Sequence, residues 1–398
     1  MNILVITQYF YPENFRINQL CLDLKERGHE ITVLTGKPNY PKGEYYKGYT
    51  FKGNEDEIWN DIPIIRVPLR ARKIGALNLI RNYFSFIHHA NKKVKKMTNS
   101  YDLIYVFEVS PITVALPAIK LKKKWHIPII MNVQDLWPEN IIAVTGIKNK
   151  TIIGCVNILV NYIYRHCDLL LAASPGFVDR IQERVEEKDK VKYWPQYAVV
   201  KKGDDSAIHF DHHKMHIMFT GNIGEAQGID IAIEAAKMLK GQPIHWHFIG
   251  DGRQRKTMEE KVKEYSLQDE ITFYGFKPEN EIPEYLAAAD AALLILKPDP
   301  VFEMTIPAKL QTYLACGVPI IGCVNGETKK IIKESQAGLV SESISSSALA
   351  DLCMQYMKKS DEEKKNYIKH ALNYGKKNFD KTQLLNQLES HMEGLSDE

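Results

Sequence analysis

No two of the six cysteines in this 398-residue chain (Cys21, Cys155, Cys167, Cys316, Cys323 and Cys353) stand as a Cys-x-x-Cys pair. Six is also sparse for the length, which excludes a disulfide framework and a cysteine zinc site and points to reduced, mostly buried thiols of a cytosolic protein. The amino end runs straight into MNILVITQYF, without a basic segment or a small-residue cleavage site, so no export is expected. Long hydrophobic runs are lacking too. The uncharged stretch 151–164 has 14 residues, two of them Asn, short of the roughly 20 that a spanning helix needs. Internal repeats and low-complexity tracts are absent. Charge of one sign is missing in the total: 52 Lys+Arg against 49 Asp+Glu leave +3, which names no polyanionic partner. With 44% apolar and 25% charged residues the chain is a folded one, long enough for two or three domains.

The small total hides an asymmetry. Residues 1–200 carry 28 Lys+Arg against 19 Asp+Glu, and the remainder 24 against 30. Two halves of opposite sign suggest two domains with different partners. Short apolar runs alternate with helical patterns throughout. Strands are expected at 2–7, 30–34, 64–67, 102–107, 129–133, 169–173 and 191–194, with a helix over 18–27 stopped by Gly28. The polar stretch 201–214 reads as a linker, and a second strand series follows at 216–219, 245–248, 270–274, 291–296 and 319–322. Strand, crossover helix and strand in repetition predict an α/β fold of two doubly wound Rossmann-like domains. The expected division is 1–200 and 201–379, with a helical tail over about 380–398 packing back on the first domain. Ligands of such folds bind outside the carboxyl ends of the strands, here in a central cleft.

Three elements of the second half suit an anionic ligand. The first is Gly221-Asn222-Ile223-Gly224-Glu225-Ala226-Gln227-Gly228, a glycine-rich turn between a strand and a helix over 229–239. The second is Gly250-Asp251-Gly252, followed by Arg253, Arg255 and Lys256; without a third glycine it is not a dinucleotide fingerprint. The third is Glu303-Met304-Thr305-Ile306-Pro307-Ala308-Lys309, with Thr305 as the expected N-cap and Lys309 one turn into a helix that stops at Gly317. A lysine there opposes the helix dipole, a conflict that an anionic ligand resolves. A strand–helix turn and a solvated lysine are the plain alternatives. His209, His212, His213 and His216 have metal-like spacing but fall at the linker, where exposed histidines are common. Between 66 and 124 lie 13 Lys+Arg against two acids, Asp102 and Glu108, with the apolar-rich GALNLIRNYFSFIHH among them. This pattern fits a helix lying on an anionic membrane surface; a solvated face is the alternative, and nucleic acid lacks a recognition module.

Taken together, these residues resemble the retaining nucleotide-sugar glycosyltransferases of family 4, with the two-domain GT-B fold. Tyr9-Phe10-Tyr11-Pro12-Glu13 with Arg16, Pro38-Asn39-Tyr40-Pro41-x-Gly43, Asp135-Leu136-Trp137-Pro138-Glu139, the 221–228 turn and Thr305–Lys309 with Tyr313-Leu314-Ala315-Cys316-Gly317 carry the likeness. It is closest to the members that build bacterial surface polysaccharides, N-acetylfucosaminyl transferases among them. The chain departs from many members in having Asn222 and Gln227 for an Arg and a Lys, and Met304 and Thr312 for two glutamates, with Glu303 one residue off register. The resemblance implies a UDP-sugar donor, an N-acetylated hexosamine such as N-acetyl-L-fucosamine, and a polyprenyl-diphosphate-linked saccharide acceptor used in capsule or O-antigen synthesis. It implies retention of configuration and no metal, in keeping with the lack of an Asp-x-Asp motif, and no other cofactor. The donor would meet Arg16, Gly221, Asn222, Gly224, Gln227, Gly250, Gly252, Arg253, Thr305, Ile306, Pro307, Lys309 and Thr312. Catalytic roles fall to Asp135 on the acceptor hydroxyl, with Glu108 a lesser candidate, Glu303 on the sugar, and Lys309 on the leaving diphosphate. Such a protein would work in the cytoplasm, peripherally bound to the inner face of the cell membrane. A UDP-sugar epimerase and a non-catalytic nucleotide-sugar-binding subunit are the alternatives.

Overall fold

The structure, a computed structural model, describes residues 1–53, 56–98, 100–141, 148–198 and 208–396. It divides into two compact units, Met1–Trp194 with Leu385–Glu398, and Pro195–Leu384. Of the expected linker, 201–207 lie outside the described residues, as do 397 and 398 of the tail.

The first unit is an eight-stranded sheet: β1 (Asn2–Ile6), β2 (Glu30–Thr35), β3 (Asp56–Trp59), β4 (Ile62–Arg66), β5 (Leu103–Glu108), β6 (Ile129–Val133), β7 (Leu169–Ala172) and β8 (Val191–Tyr193). Their spatial order is β3-β4-β2-β1-β5-β6-β7-β8. All neighbours run parallel except β3 and β4. The central strands are buried along nearly their whole length, as in NILVI and LIYVFE, because helices cover a parallel sheet on both faces. The strand missed from sequence, β3 (DEIW), has no apolar run to reveal it. It is specified by its turn: Asn60 and Asp61 both take positive φ, 49° and 56°, the two-residue hairpin geometry that Asn and Asp tolerate.

The second unit holds β9 (Met215–Thr220), β10 (Ile244–Ile249), β11 (Ile271–Gly275), β12 (Ala291–Ile295), β13 (Ile320–Cys323) and β14 (Gly338–Val340). They run parallel in the order β11-β10-β9-β12-β13-β14. Trp246 and Phe248 of β10 pack with Ile217 and Phe219 of β9 under the helices Ile229–Met238, Arg255–Glu264 and Ser346–Met357. His216 is therefore not part of an exposed linker cluster. It is buried in β9, where its Nδ1 lies 2.9 Å from His247 Nε2, while His209, His212 and His213 are exposed.

Both sheets reverse their order beside the first strand, β1 or β9, which puts the loops after β1 and β5, and after β9 and β12, at the carboxyl-end switch points where such folds bind ligands. In the first unit the carboxyl-terminal helix Lys381–Ser396 is tied by Glu389, which accepts from Arg27 Nη2 at 2.6 Å and lies 3.0 Å from His29 Nε2. No helix among the described residues is long and apolar enough to cross a membrane.

Trp246 is 1% exposed in the centre of the second core. Trp246→Ala should cost about 3–5 kcal/mol, read as a lower denaturant midpoint for the second unit's transition.

Candidate active site

In the second unit, the turn after β9 and the turn after β10 are packed backbone to backbone. Gly250 has φ +137°, and a Cβ there would lie 1.8 Å from Gly221 O; a Cβ on Gly252 would lie 2.4 Å from Ile223 O. These two glycines are thus required by the neighbouring turn. Gly221 itself has φ +127° and adjoins Lys309, whose Cε would be 3.6 Å from an added Cβ. Gly224 is half-buried against the Asn222 side chain.

Lys309 lies in the first turn of the helix Ala308–Ala315. Tyr313, one turn on, accepts from Thr220 N at 2.9 Å and from Thr220 Oγ1 at 3.2 Å, which anchors the helix to the end of β9. The half-buried Lys309 side chain is thereby laid on the Phe219 ring, with Nζ 3.9 Å from the centroid, and it donates to Gln227 Oε1. An amide oxygen and an aromatic face are neutral partners, and burial alone pushes the ammonium down to about 7. A cation so placed gains most from an anion brought to it. Gln227, which stands where many family-4 members have lysine, is the acceptor that occupies this ammonium.

The remaining donor-side candidates divide. Glu303 is braced: its Oε1 accepts from Asn325 Nδ2 at 3.3 Å, and a Cβ on Gly326 would meet Glu303 O at 1.9 Å. Contrary to the expectation from sequence, Thr305 does not cap the lysine helix. Its hydroxyl bonds back to Val301 O at 2.8 Å, closing the short helix Pro300–Glu303, and Pro307 holds the N-cap position. The local back-bond outcompetes capping because Thr305 sits four residues after Val301. Ile306 is buried, and Thr312 bonds back to Ala308 O at 3.2 Å, so that hydroxyl also serves its own helix. Arg253 is exposed.

In the first unit the loops after β1, β2 and β4 converge on Glu13, which sequence reasoning missed as an individual side chain. Its Oε1 accepts from Asn39 N at 2.8 Å and Tyr40 N at 2.7 Å, and its Oε2 from Phe10 N at 3.3 Å. Asn39 Oδ1 in turn accepts from Arg72 N at 2.8 Å. Two of these carboxylate bonds hold the Pro-Asn-Tyr-Pro loop against the loop that leads into Arg16, the first residue of the helix Arg16–Glu26, and the third stays within that loop. After β5 and β6, Asp135 is half-buried and its Oδ2 accepts from Ser110 N at 2.9 Å and Ser110 Oγ at 2.6 Å. Asp135 thus ties the loop after β6 to the switch-point loop after β5. Burial raises its carboxyl above the usual range, opposed by the Ser110 bonds. Among the described residues no group of three or more His, Cys, Asp or Glu is arranged to hold a metal.

The basic 66–124 region is not a uniform surface. Arg66 is fully buried, bonded to Gly36 O and Tyr11 O and paired with Glu57, because β4 needs its charge satisfied inside. Lys122 is paired with Asp168 at 2.5 Å. The helix Ala76–Lys96 buries Leu79, Tyr83, Phe86, Ala90 and Val94 and exposes Leu77, Arg81, Phe84, His88, Lys92 and Lys95. Tyr83 and Phe86 are core residues, whereas Phe84 is 67% exposed and Leu77 71%.

Two parallel, doubly wound units with an anion-ready lysine on the second one's switch-point turn have the construction of the GT-B transferases. Residues 14–196 match the glycosyl transferase 4-like domain, and residues 201–374 match the domain of glycosyl transferases group 1. The chain thus carries the paired domains of a group 1 glycosyltransferase. It is 22% identical to a putative colanic acid biosynthesis glycosyl transferase, WcaI, of Escherichia coli, over 80% of this chain and 82% of that protein. Its fold is similar to sucrose-phosphate synthase from Thermosynechococcus elongatus, with TM-score 0.75, 15% identity and coverage of 99% and 98% of the two chains. It is also similar to Anabaena HepE in complex with UDP and glucose, with TM-score 0.68, 13% identity and coverage of 99% and 100%.

Replacing Lys309 removes a costly buried charge. Because its ammonium is held at about 7 when folded and near 10.5 when unfolded, it costs stability most below pH 7 and less as pH rises toward 10. Lys309→Met should therefore raise the thermal midpoint at pH 6, by on the order of 1 kcal/mol or about 2–4 °C. The gain should shrink at pH 10; scanning calorimetry at both pH values checks the sign.

Proposed function

We propose that the protein is a retaining glycosyltransferase that takes an N-acetylated hexosamine, such as N-acetyl-L-fucosamine, from its UDP-sugar and passes it to a polyprenyl-diphosphate-linked saccharide during surface polysaccharide assembly. The observation that carries this reading is the Lys309 ammonium, lodged beside Gly221 on the Phe219 ring and the Gln227 amide, both neutral. It supplies the positive charge that a leaving diphosphate needs at the moment the glycosidic bond breaks. The anomeric carbon exchanges its β-phosphate oxygen for the acceptor oxygen on the same face, and Asp135 orients the acceptor hydroxyl or takes its proton. Lys309, Arg253 and backbone N–H groups meet the phosphate charge, and Glu303, fixed by Asn325, holds the sugar hydroxyls, so the reaction needs no metal. The relative named for colanic acid synthesis and the neighbour bound to UDP and glucose support the acceptor class and the donor class.

The exposed face of helix Ala76–Lys96 supports a peripheral contact with an anionic leaflet on the cytoplasmic side. Leu77 and Phe84 provide the apolar part, and Arg81, Lys92, Lys95 and Lys96 the charge, each worth about 1 kcal/mol near such a surface. Such a contact brings the enzyme to a lipid-linked acceptor.

A panel of UDP-sugars, assayed with a polyprenyl-diphosphate-linked N-acetylglucosamine, tests the reaction. Acceptor-dependent sugar transfer is expected, with Asp135→Asn lowering turnover about tenfold or more while UDP still binds. Isomerised donor, or binding without turnover, would replace this reading by an epimerase or a binding subunit. Vesicles containing phosphatidylglycerol should float the protein at low salt, and the combined Lys92, Lys93, Lys95 and Lys96→Gln variant should stay in the soluble fraction. Flotation that ignores both salt and these lysines removes the membrane contact.

A further inference from the structure

Glu108 ends β5 fully buried, one turn of chain before Ser110. Its Oε2 accepts the Asp135 N–H at 3.3 Å, whereas its Oε1 is buried with no hydrogen-bond partner among the described residues. The titratable groups that face it are the Asp135 carboxyl, Tyr83 from helix Ala76–Lys96 and Tyr164 from helix Lys150–His166. None of them is a cation. A fully buried carboxyl resists ionising beside a second carboxyl. Donors decide which of the two carries charge. Asp135 receives the N–H and O–H of Ser110 and a bond from the Asn140 side chain, while Glu108 receives backbone N–H groups only.

We propose that Glu108 is a positioning residue of the acceptor side: it rests neutral beneath Asp135, holds that residue's backbone N–H, and leaves Asp135 the charged member of the pair. Burial, with the Asp135 charge adding to it, holds the Glu108 carboxyl well above the usual carboxylate range. The oxygen that accepts the N–H keeps its carbonyl character, and the proton belongs on Oε1. The inference rests on the reading of Asp135 as the acceptor-side carboxylate, yet the protonation of Glu108 is measurable without any substrate.

Its sign follows from linkage. A carboxyl whose folded pKa lies above its unfolded one contributes stability below the unfolded value and loses it as pH rises through the folded value. Raising pH should therefore force a second charge against Asp135, loosen the Ser110 bonds and lower both stability and turnover. Glu108→Gln reproduces the neutral form and removes that titration; Glu108→Ala removes the brace as well.

The experiment is infrared spectroscopy of the full chain across neutral to alkaline pH, alongside thermal unfolding and the transfer assay. The wild type should show the carbonyl band of a protonated carboxyl at pH 8, absent in Glu108→Gln. In Asp135→Asn, where the neighbouring charge is gone, the band should disappear at a lower pH than in the wild type. Thermal midpoints should fall on the alkaline side for the wild type and stay flat for Glu108→Gln. In transfer, Glu108→Gln should restore most of the roughly tenfold loss seen in Glu108→Ala and should extend activity to higher pH. No protonated band at pH 8, or a folded Glu108→Gln as inactive as Glu108→Ala, overturns the proposal. Absence of transfer in the wild type overturns the reading of function instead, and the band and midpoints still decide the state of Glu108.

Discussion

A parallel strand cannot reach its parallel neighbour without a crossover, and that constraint organises both units. Each crossover begins at the carboxyl end of a strand, so every strand-to-helix loop in a unit opens on the same edge of its sheet. Where the strand order reverses, beside β1 and beside β9, two such loops diverge and leave a recess. Glu13, Ser110 and Asp135 stand on loops of that kind in the first unit, and the 221–228 turn stands on one in the second. The nearness of Ser110 and Asp135 follows from topology, since β5 and β6 are neighbours in the sheet.

Buried charge is handled in three ways within this frame. Arg66 is surrounded by acceptors and a carboxylate, as a structural cation must be. Glu13 is surrounded by backbone N–H groups and serves as a tie between loops. Lys309 has a neutral amide and an aromatic face, which hold its position without neutralising it. The contrast separates a charge that is compensated within the fold from one whose neighbours leave it uncompensated. Tyr313 makes the difference possible, because its hydroxyl docks the lysine helix on β9 without placing an acid beside the ammonium.

Much of the fold was legible because parallel strands are buried on both faces and read as unbroken apolar runs. NILVI, LIYVFE and AALLI could hardly be anything else in this context. The short edge strands β3 and β14 were not legible, since DEIW and GLV take their conformation from neighbours and turns. The site was legible as motifs and less so as roles. Gly250 and Gly252 look like ligand-contacting glycines in sequence, but the φ of Gly250 and the clearances at both answer to the turn beside them. Thr305 looks like a cap, yet a back-bond to Val301 claims its hydroxyl. The basic run was overcounted because sequence cannot tell Arg66, inside, from Lys92, outside.

The sequence by itself determined the two-unit parallel architecture, the positions of its principal strands along the chain and the three anion-suited segments of the second half. These are local properties, set by apolar runs, glycine positions and the residues near helix starts. Only the tertiary structure decided which charges have partners. Glu13 reaches Asn39, Asp135 reaches Ser110, and Lys309 reaches Gln227 across 26, 25 and 82 residues of chain. The physical reason is that the state of a charge depends on what surrounds it within a few ångströms. Those surroundings are assembled by strand pairing and crossover, which bring together residues that no local pattern connects.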